Sequence, residues 1–241
     1  MPSGTRLDAA TTDALARADV FSALPQDALS AVVRLARQVT LKRGQALFLQ
    51  GDAADAVYLV TRGRLKVTEE SADGHSVVLR LEREGALLGL IAALDGGVYP
   101  VTVRALEACT VARWSDADWR ALLDAHPRVA LALLPMVLSR LRAIQDQYRE
   151  LATERVEQRV ARAVLRLARV GGRRTAEGVL VDAQVTRQEL AEMAGTTLYT
   201  ASRILSAWAA RGLVSPRGRR LLIRAPHALV AIAEDLPGRI R

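Results

Sequence analysis

The spacing of hydrophobic residues changes from a helical to a β pattern near Val39. In VFSALPQDALSAVVRLARQVTL (20–41), Leu29, Val32, Val33 and Leu35 recur at helical intervals. The apolar runs that follow are short: QALFLQ, AVYLVTRGRLKVTEES, SVVLRLE and VTVRALEACTVARW. Glycines separate them at positions 51, 63, 74, 85 and 96. Strands with turn residues at such intervals predict an antiparallel roll, barrel or sandwich.

One hairpin turn is marked especially clearly, by the dipeptide Asp73-Gly74, which suits a turn with positive φ. His75 follows it, and a histidine at a hairpin tip is usually exposed to solvent. His126 and His227 lie far away in the chain, so the three histidines lack the spacing of a metal site.

A long helical segment is predicted from Arg128 to Val170. Within it a heptad pattern of apolar residues predicts a dimer interface formed by Val137, Leu141, Ile144, Tyr148 and Leu151. The alternative is an ordinary amphipathic helix packed on its own domain. Pro135 either kinks this helix or marks its first turn. Thr153, with Glu157 and Gln158 nearby, is a candidate for capping a new helix, which predicts a hinge at 152–156.

The last third of the chain reads as a helix (155–170), a GGRRTAEG loop, a strand VLVDA, two helices and a hairpin. The first of the two helices lies in VTRQELAEMAG, where Thr186 and Glu189 form a capping box and Gly195 ends the helix. The second lies in TLYTASRILSAWAARG and ends at Gly212, and LVSPRGRRLLIR follows as a hairpin with a basic tip. Two helices joined by a short glycine turn, with such a hairpin, predict a winged helix-turn-helix.

Positive charge is concentrated in this same region. The chain has a net charge of +8, and residues 155–241 contain 16 Arg, no Lys and 7 acids, so 16 − 7 = +9 of it lies there. The remainder is 18 − 19 = −1. An asymmetry of this kind is typical of a nucleic-acid-binding module.

Composition narrows the class of protein further. Half of the 241 residues are hydrophobic, yet no apolar run approaches 18 residues and the N-terminus has no signal-like core. These features predict a soluble, cytoplasmic protein that does not bind membranes. The single cysteine, Cys109, excludes an intrachain disulfide and a four-thiolate cluster, and its surroundings indicate a packing role in a strand. No catalytic Ser/His/Asp set, phosphate-cradling loop or metal cluster is present, so we expect no enzyme activity.

Together these motifs resemble the Crp/Fnr type of bacterial transcription regulator over nearly the whole chain. The β-roll of that family is similar to LFLQGDAADAVYLVTRGRLKV, and its winged helix to VTRQELAEMAGTTLYTASRILSAWAARGLV. The resemblance implies an α+β fold with three parts: an antiparallel β-roll sensor domain with N-terminal helices (1–127), a dimerisation helix with hinge (128–154), and a winged-helix DNA-binding domain (155–241). It also implies a homodimer that binds a palindromic promoter site in double-stranded DNA and has RNA polymerase as a partner. The alternative is a roll-domain signalling or adaptor protein that binds a small ligand without reading DNA.

The effector site departs from the family pattern. Cyclic-nucleotide-binding members resemble one another in a Gly-Glu pair followed about ten residues later by Arg-Ser, where Glu holds the ribose and Arg the cyclic phosphate. Here Gly89 is followed by Leu90 at the Glu position, and Tyr99 and Pro100 stand at the Arg and Ser positions. An anionic ligand would lose its charge-assisted contact, which argues against cyclic AMP. Haem, a small apolar ligand or no effector at all remain open, whereas an iron–sulfur cluster is excluded.

The resemblance places the DNA-reading positions at the start of the second helix. They are Thr197, Leu198, Tyr199, Thr200 and Arg203. Arg203 is expected to read guanine, and the departure at Leu198 and Tyr199 from charged readers predicts a half-site unlike the common one. Helical phase puts Ala201, Ile204, Leu205 and Trp208 on the buried stripe. The residues expected to contact phosphates are Thr186, Arg187, Arg217, Arg219 and Arg220.

Overall fold

The computed structural model describes residues 4–71, 76–182, 185–217 and 220–236, and of Leu94 and Asp95 only the backbone. The predicted Asp73-Gly74 turn with His75, and Arg219 in the basic hairpin, lie outside the described residues. The chain divides into two compact units, one comprising Met1–Ser76 with Leu81–Ala143 and the other Val77–Arg80 with Ile144–Arg241.

Helices open the first unit. They are α1 (Ala9–Ala16), a 3₁₀ turn (Asp19–Phe21) and α2 (Gln26–Leu35). The side chain of Asp8 caps α1 by accepting the Thr11 N–H at 2.7 Å. The predicted helix around Leu29 is confirmed as α2, and the following strand begins two residues before Val39.

An antiparallel roll follows the helices. Its strands are β1 (Arg37–Leu41), β2 (Ala46–Phe48), β3 (Ala56–Arg62), β4 (Leu65–Glu70), β5 (Ser76–Glu82), β6 (Leu87–Leu88), β7 (Thr102–Ala105) and β8 (Cys109–Ser115), with helix α3 (Leu90–Asp95) between β6 and β7. They form two four-stranded sheets, in the orders β1-β8-β3-β6 and β2-β7-β4-β5. The predicted roll is confirmed. Of the five regularly spaced glycines, the four described ones all have positive φ, between 68° and 90°.

Strand β3 is buried on both faces. Tyr58 and Val60 pack among apolar side chains from both sheets, whereas Val57 and Leu59 pack with residues of the helices, including Phe21. Because successive side chains of a strand point to opposite faces, this strand is an almost continuous apolar run rather than an alternating one.

Two helices cover the predicted helical segment 128–170, and the break between them lies at residues 154–155, within the stretch 152–156 where a hinge was predicted. After α4 (Asp116–Ala125), α5 runs over Pro127–Thr153 and α6 over Val156–Gly171. Pro135 lies inside α5, so the alternative that it marks the first turn is wrong. The capping role expected of Thr153 is also wrong: its hydroxyl donates to the Arg149 carbonyl at 2.9 Å, and the side chain of Gln158 accepts the Arg155 N–H instead.

The second unit continues with a small α+β fold. After α6 its elements are β9 (Gly172–Thr175), β10 (Gly178–Val181), α7 (Arg187–Met193), α8 (Leu198–Ala210), β11 (Val214–Arg217), β12 (Arg220–Ile223) and α9 (Pro226–Ala233). The strands form one antiparallel sheet in the order β11-β12-β10-β9. The predicted GGRRTAEG loop is therefore partly a strand, because β9 pairs with β10.

Among the described residues, none of the helices is by itself long and apolar enough to cross a membrane. The pair α4 and α5 satisfies the criteria of length and composition only when taken together, and the two are bent by 109° at their junction.

Candidate nucleic-acid interface

Local hydrogen bonds define both ends of α7. The Thr186 hydroxyl accepts the Glu189 N–H at 3.1 Å and the Glu189 carboxylate accepts the Thr186 N–H at 2.7 Å, so the predicted capping box is confirmed. At the other end, Gly195 adopts φ +60°, a conformation that residues with a side chain rarely adopt. The Thr196 N–H donates to the Ala191 carbonyl at 2.9 Å. The bonds at the Gly195 end fix the chain direction into α8.

One face of α8 is buried and the other is open to solvent. Ala201, Leu205 and Trp208 are at most 5% exposed, in agreement with the predicted stripe, whereas Ile204 lies half-buried at its edge. Thr197 caps the helix by accepting the Thr200 N–H at 3.2 Å.

The two residues of α8 that depart from the charged readers of the family, Leu198 and Tyr199, lie on the solvent-exposed face of the helix. Leu198 is 44% exposed and Tyr199 is 75% exposed, so neither is part of the core of this unit. Arg187 and Arg203 are exposed as well, and within the described residues neither has an ion pair or hydrogen bond. Their guanidinium groups are therefore available to a ligand.

The basic hairpin of β11 and β12 differs in this respect, because its two described arginines, Arg217 and Arg220, are paired with carboxylates. Arg217 lies 2.6 Å from Glu177, and Arg220 lies 2.8 Å from Asp182. Arg224 lies 3.7 Å from Glu177 as well. Neither acid was predicted as a partner from the sequence, since Glu177 stands in the turn between β9 and β10 and Asp182 follows β10. All these groups are a third or more exposed, so the pairs can exchange partners at small cost.

Two of the four residues of the expected effector pocket lie against each other in the roll, because a Cβ at Gly89 would be 3.1 Å from Cε1 of the Tyr99 ring. Leu90 is 5% exposed and packs with the helical cluster, whereas Tyr99 is 1% exposed and packs in the cluster between the sheets. Pro100 is exposed, and Gly89 has φ +78° with the Ala56 carbonyl 2.7 Å from where a Cβ would lie.

Tyr99 is held as a core residue. Its ring stacks on Phe48 with 3.8 Å between centroids, its hydroxyl donates to the Ala56 carbonyl at 2.7 Å, and the Ala56 N–H donates back at 3.1 Å. Burial raises the pKa of the Tyr99 phenol above its ordinary value. This position thus offers a neutral, internally bonded group where the family pattern has a cation.

Cys109 is buried in β8, as its predicted packing role requires. Its Sγ lies 3.2 Å from the Arg64 carbonyl oxygen, and burial raises the pKa of the thiol. A Cβ at Gly63 would lie 2.6 Å from this sulfur, which explains the glycine there. Among the described residues no group of three or more His, Cys, Asp or Glu side chains could hold a metal ion.

All five heptad residues of α5 are exposed to solvent. Their exposed fractions are Val137 38%, Leu141 51%, Ile144 60%, Tyr148 75% and Leu151 49%. Exposure on this scale favours the predicted dimer seam over a helix packed on its own domain.

A winged helix-turn-helix with an open reading face, in one chain with an antiparallel roll, defines a two-domain DNA-binding regulator as the class of protein. The comparisons with known proteins agree. The profile of the cyclic nucleotide-binding domain matches residues 38–126, and that of the Crp-like helix-turn-helix domain matches residues 158–232.

Relatives of known function extend the match over both units. The chain is 32% identical over 194 residues to the cyclic AMP receptor protein of Thermus thermophilus, covering 80% of this chain and 87% of that protein. It is 26% identical over 212 residues to the CRP-like cAMP-activated global transcriptional regulator of Mycobacterium tuberculosis, covering 87% and 93%. The solved structure of the c-di-GMP responsive global regulator CLP of Xanthomonas campestris shares the fold, with a TM-score of 0.72 at 22% identity over 83% of this chain and 99% of that one.

The chain therefore belongs to the Crp/Fnr family of transcription regulators. The predicted family and fold class are confirmed. Membership also agrees with the expectation of a DNA-binding regulator rather than an enzyme.

Proposed function

We propose that this protein acts as a homodimer that binds a palindromic promoter site in double-stranded DNA and regulates transcription through RNA polymerase. The observation that carries the proposal is the two-sided character of α8. Ala201, Leu205 and Trp208 anchor one face, while the other presents Tyr199 and the unpaired Arg203 to solvent. A helix so arranged can lie in the major groove with its first turns against base edges.

Each residue on this face has a chemical role in the proposal. Arg203 donates to guanine O6 and N7, Leu198 contacts a thymine methyl or a sugar, and Tyr199 reaches a phosphate or base edge. The threonines Thr197 and Thr200 complete the reading set. The phosphate contacts, which position the domain without specifying sequence, are assigned to Thr186, Arg187, Arg217, Arg219 and Arg220.

The dimer is assigned to the heptad seam of α5. We assign residues 1–127 to the sensor domain, 128–154 to the dimer helix with its hinge, and 155–241 to the DNA-binding domain. Two copies of α8 related by a two-fold axis require half-sites about 34 Å apart, one turn of DNA.

The effector is proposed to differ from cyclic AMP. Leu90 and Tyr99 are neutral and buried, so the charge-assisted contact to a cyclic phosphate is missing. Haem, a small apolar molecule and regulation without any ligand all remain compatible with the roll. An absorption spectrum and a native mass of protein purified from its own host distinguish them by a Soret band, an added mass, or neither.

The Arg203→Ala variant tests the DNA-reading role. Selection from random duplexes defines the wild-type site, and fluorescence anisotropy measures affinity for that site and its single-base variants. Loss of the bidentate contact should weaken binding by about 1–3 kcal/mol and relax one position per half-site. Arg169→Ala, at an exposed arginine of α6, is the matched control. Unchanged affinity and specificity in Arg203→Ala would contradict the assignment, and failure to select any duplex would favour the roll-domain adaptor.

A further inference from the structure

Three arginines of α6 lie on one face of that helix and take no part in the proposed DNA contacts. Arg159, Arg162 and Arg166 are spaced by three and four residues, so their side chains stack along the helix. They follow directly on the break between α5 and α6 at residues 154–155. We call these three residues and their acceptors the arginine joint.

Arg159 connects the ends of two different helices through a single guanidinium. Its Nη1 donates to the Glu154 carbonyl at 2.7 Å, where α5 has just ended. Its Nε donates to the Ala194 carbonyl at 2.9 Å and its Nη2 to the Gly195 carbonyl at 3.1 Å, in the turn that precedes α8. Carbonyls at helix ends have no partner inside the helix, and the planar fork of arginine can serve several of them at once.

Arg162 and Arg166 attach the same face of α6 to two carboxylates at the end of α5, Glu154 just after the helix and Glu150 in its last turn. Arg166 lies 2.8 Å from Glu150 and also donates to the Met193 carbonyl at 3.4 Å, in the last turn of α7. The Nε of Arg162 lies 3.0 Å from both carboxylate oxygens of Glu154. Glu150 is only 7% exposed, and breaking a buried charge pair costs far more than breaking a surface one.

The joint thus holds the end of α5 and the helix-turn-helix turn in one network. Gly195 is three residues before Leu198, the first residue of α8, so the joint fixes where the recognition helix begins. A second bond, from the Trp208 indole N–H to Glu157 at 2.8 Å, ties the far part of α8 to the start of α6. Movement at the end of α5 cannot leave α8 unchanged without breaking several of these bonds.

We propose that Arg159 is a positioning residue that couples the C-terminal end of the dimer helix to the recognition helix, with Arg162 and Arg166 anchoring the coupling. This rests on the proposed function, in which α8 reads DNA and α5 forms the dimer. The guanidinium of Arg159 is occupied by three backbone carbonyls, and the proposed function assigns it no DNA contact. Arg159 makes DNA affinity depend on the position of the α5 end.

The test compares Arg159→Lys with Arg169→Lys, the same change at an exposed arginine of the same helix. Lysine retains the charge but cannot serve three separated carbonyls. Anisotropy on the duplex selected by the wild type should show binding weakened about 3- to 30-fold in Arg159→Lys and unchanged in Arg169→Lys. The slope of log affinity against log salt should stay at the wild-type value, because no phosphate contact is lost.

Hydrogen exchange distinguishes coupling from a merely local loss of structure. In Arg159→Lys the amides of 152–155 and of 195–198 should both exchange faster, with the rest of α6 as protected as in the wild type. Faster exchange at only one of the two segments, unchanged affinity, or a smaller salt slope overturns the proposal. If Arg159→Lys does not fold, Arg166→Lys replaces it with the same expected directions, because it loses the bond to Met193. Wild-type protein that selects no duplex refutes the proposed function, whereas a wild type that binds and variants that bind equally refute only the joint.

Discussion

At the scale of single residues, Tyr99 stands at a position that resembles a ligand contact in sequence, and in the structure it is part of the core. Its hydroxyl satisfies both the N–H and the carbonyl of Ala56, and its ring stacks on Phe48. Buried backbone groups need hydrogen-bond partners, and this phenol supplies one to both groups of Ala56. An arginine extended toward a ligand would not do so. A position that resembles a phosphate contact in sequence therefore stabilises the roll instead.

The variant Tyr99→Phe should lower the free energy of unfolding by about 1–3 kcal/mol, because it leaves the Ala56 N–H and carbonyl without their partner. Urea unfolding at pH 7 measures this. Since the folded protein keeps the phenol protonated where an unfolded tyrosine ionises, the wild type should also lose stability as the pH rises above about 10.

That alkaline loss should be smaller in Tyr99→Phe than in the wild type. The reverse order, or a variant as stable as the wild type at pH 7, would show that the two hydrogen bonds contribute little. Tyr58 provides the comparison, because burial raises its pKa as well and both proteins retain it.

At the scale of elements, the β9–β10 hairpin and the wing act on each other electrostatically. The Glu177 carboxylate accepts a hydrogen bond from Arg217 and lies near Arg224, and the Asp182 carboxylate accepts one from Arg220. Arg217 and Arg220 are two of the arginines assigned to phosphate contacts. When DNA binds, the arginines must exchange these carboxylates for phosphates as partners. The negative charge of the two acids then lies close to the DNA backbone.

The variant Glu177→Gln should therefore bind DNA more tightly, by up to about fivefold at low salt, which is the range of exposed ion pairs. Anisotropy titrations at two salt concentrations measure this, and the gain should shrink at the higher one because screening removes it. Asp235→Asn changes the net charge equally at the exposed partner of Arg155 and is the control. Equal gains in both variants would mean that net charge alone matters.

At the scale of the whole molecule, the long helix α5 presents an unusually apolar surface. Ile144 is 60% exposed and Tyr148 75%, and both belong to a seam of five such residues. Apolar patches of this kind on a protein surface mark association sites. The heptad spacing fits a second copy of the same helix.

The variant Ile144→Glu should dissociate the dimer, because two carboxylates would meet across the two-fold seam. Native mass spectrometry should show monomers, and affinity for the palindrome should fall much more than affinity for a single half-site. Gln145→Glu, at an exposed position off the seam, should leave the mass of the dimer unchanged. A dimer that persists in Ile144→Glu would remove the seam from the interface.

The sequence by itself determined those features that depend on neighbours along the chain. The Thr186–Glu189 capping box, the glycine turn at Gly195 and the buried Leu205 and Trp208 were all predicted, because each involves residues within one or two helical turns. The roll was predicted for the same reason, from short apolar runs separated by turn glycines.

Only the tertiary structure decided which distant side chains meet. It paired Arg217 with Glu177, 40 residues away, and joined Arg159 to the carbonyls of Ala194 and Gly195. It also separated Leu90 from Tyr99 into two apolar clusters. No local pattern encodes such contacts, because they arise when whole elements bury their apolar faces and bring remote polar groups within bonding distance.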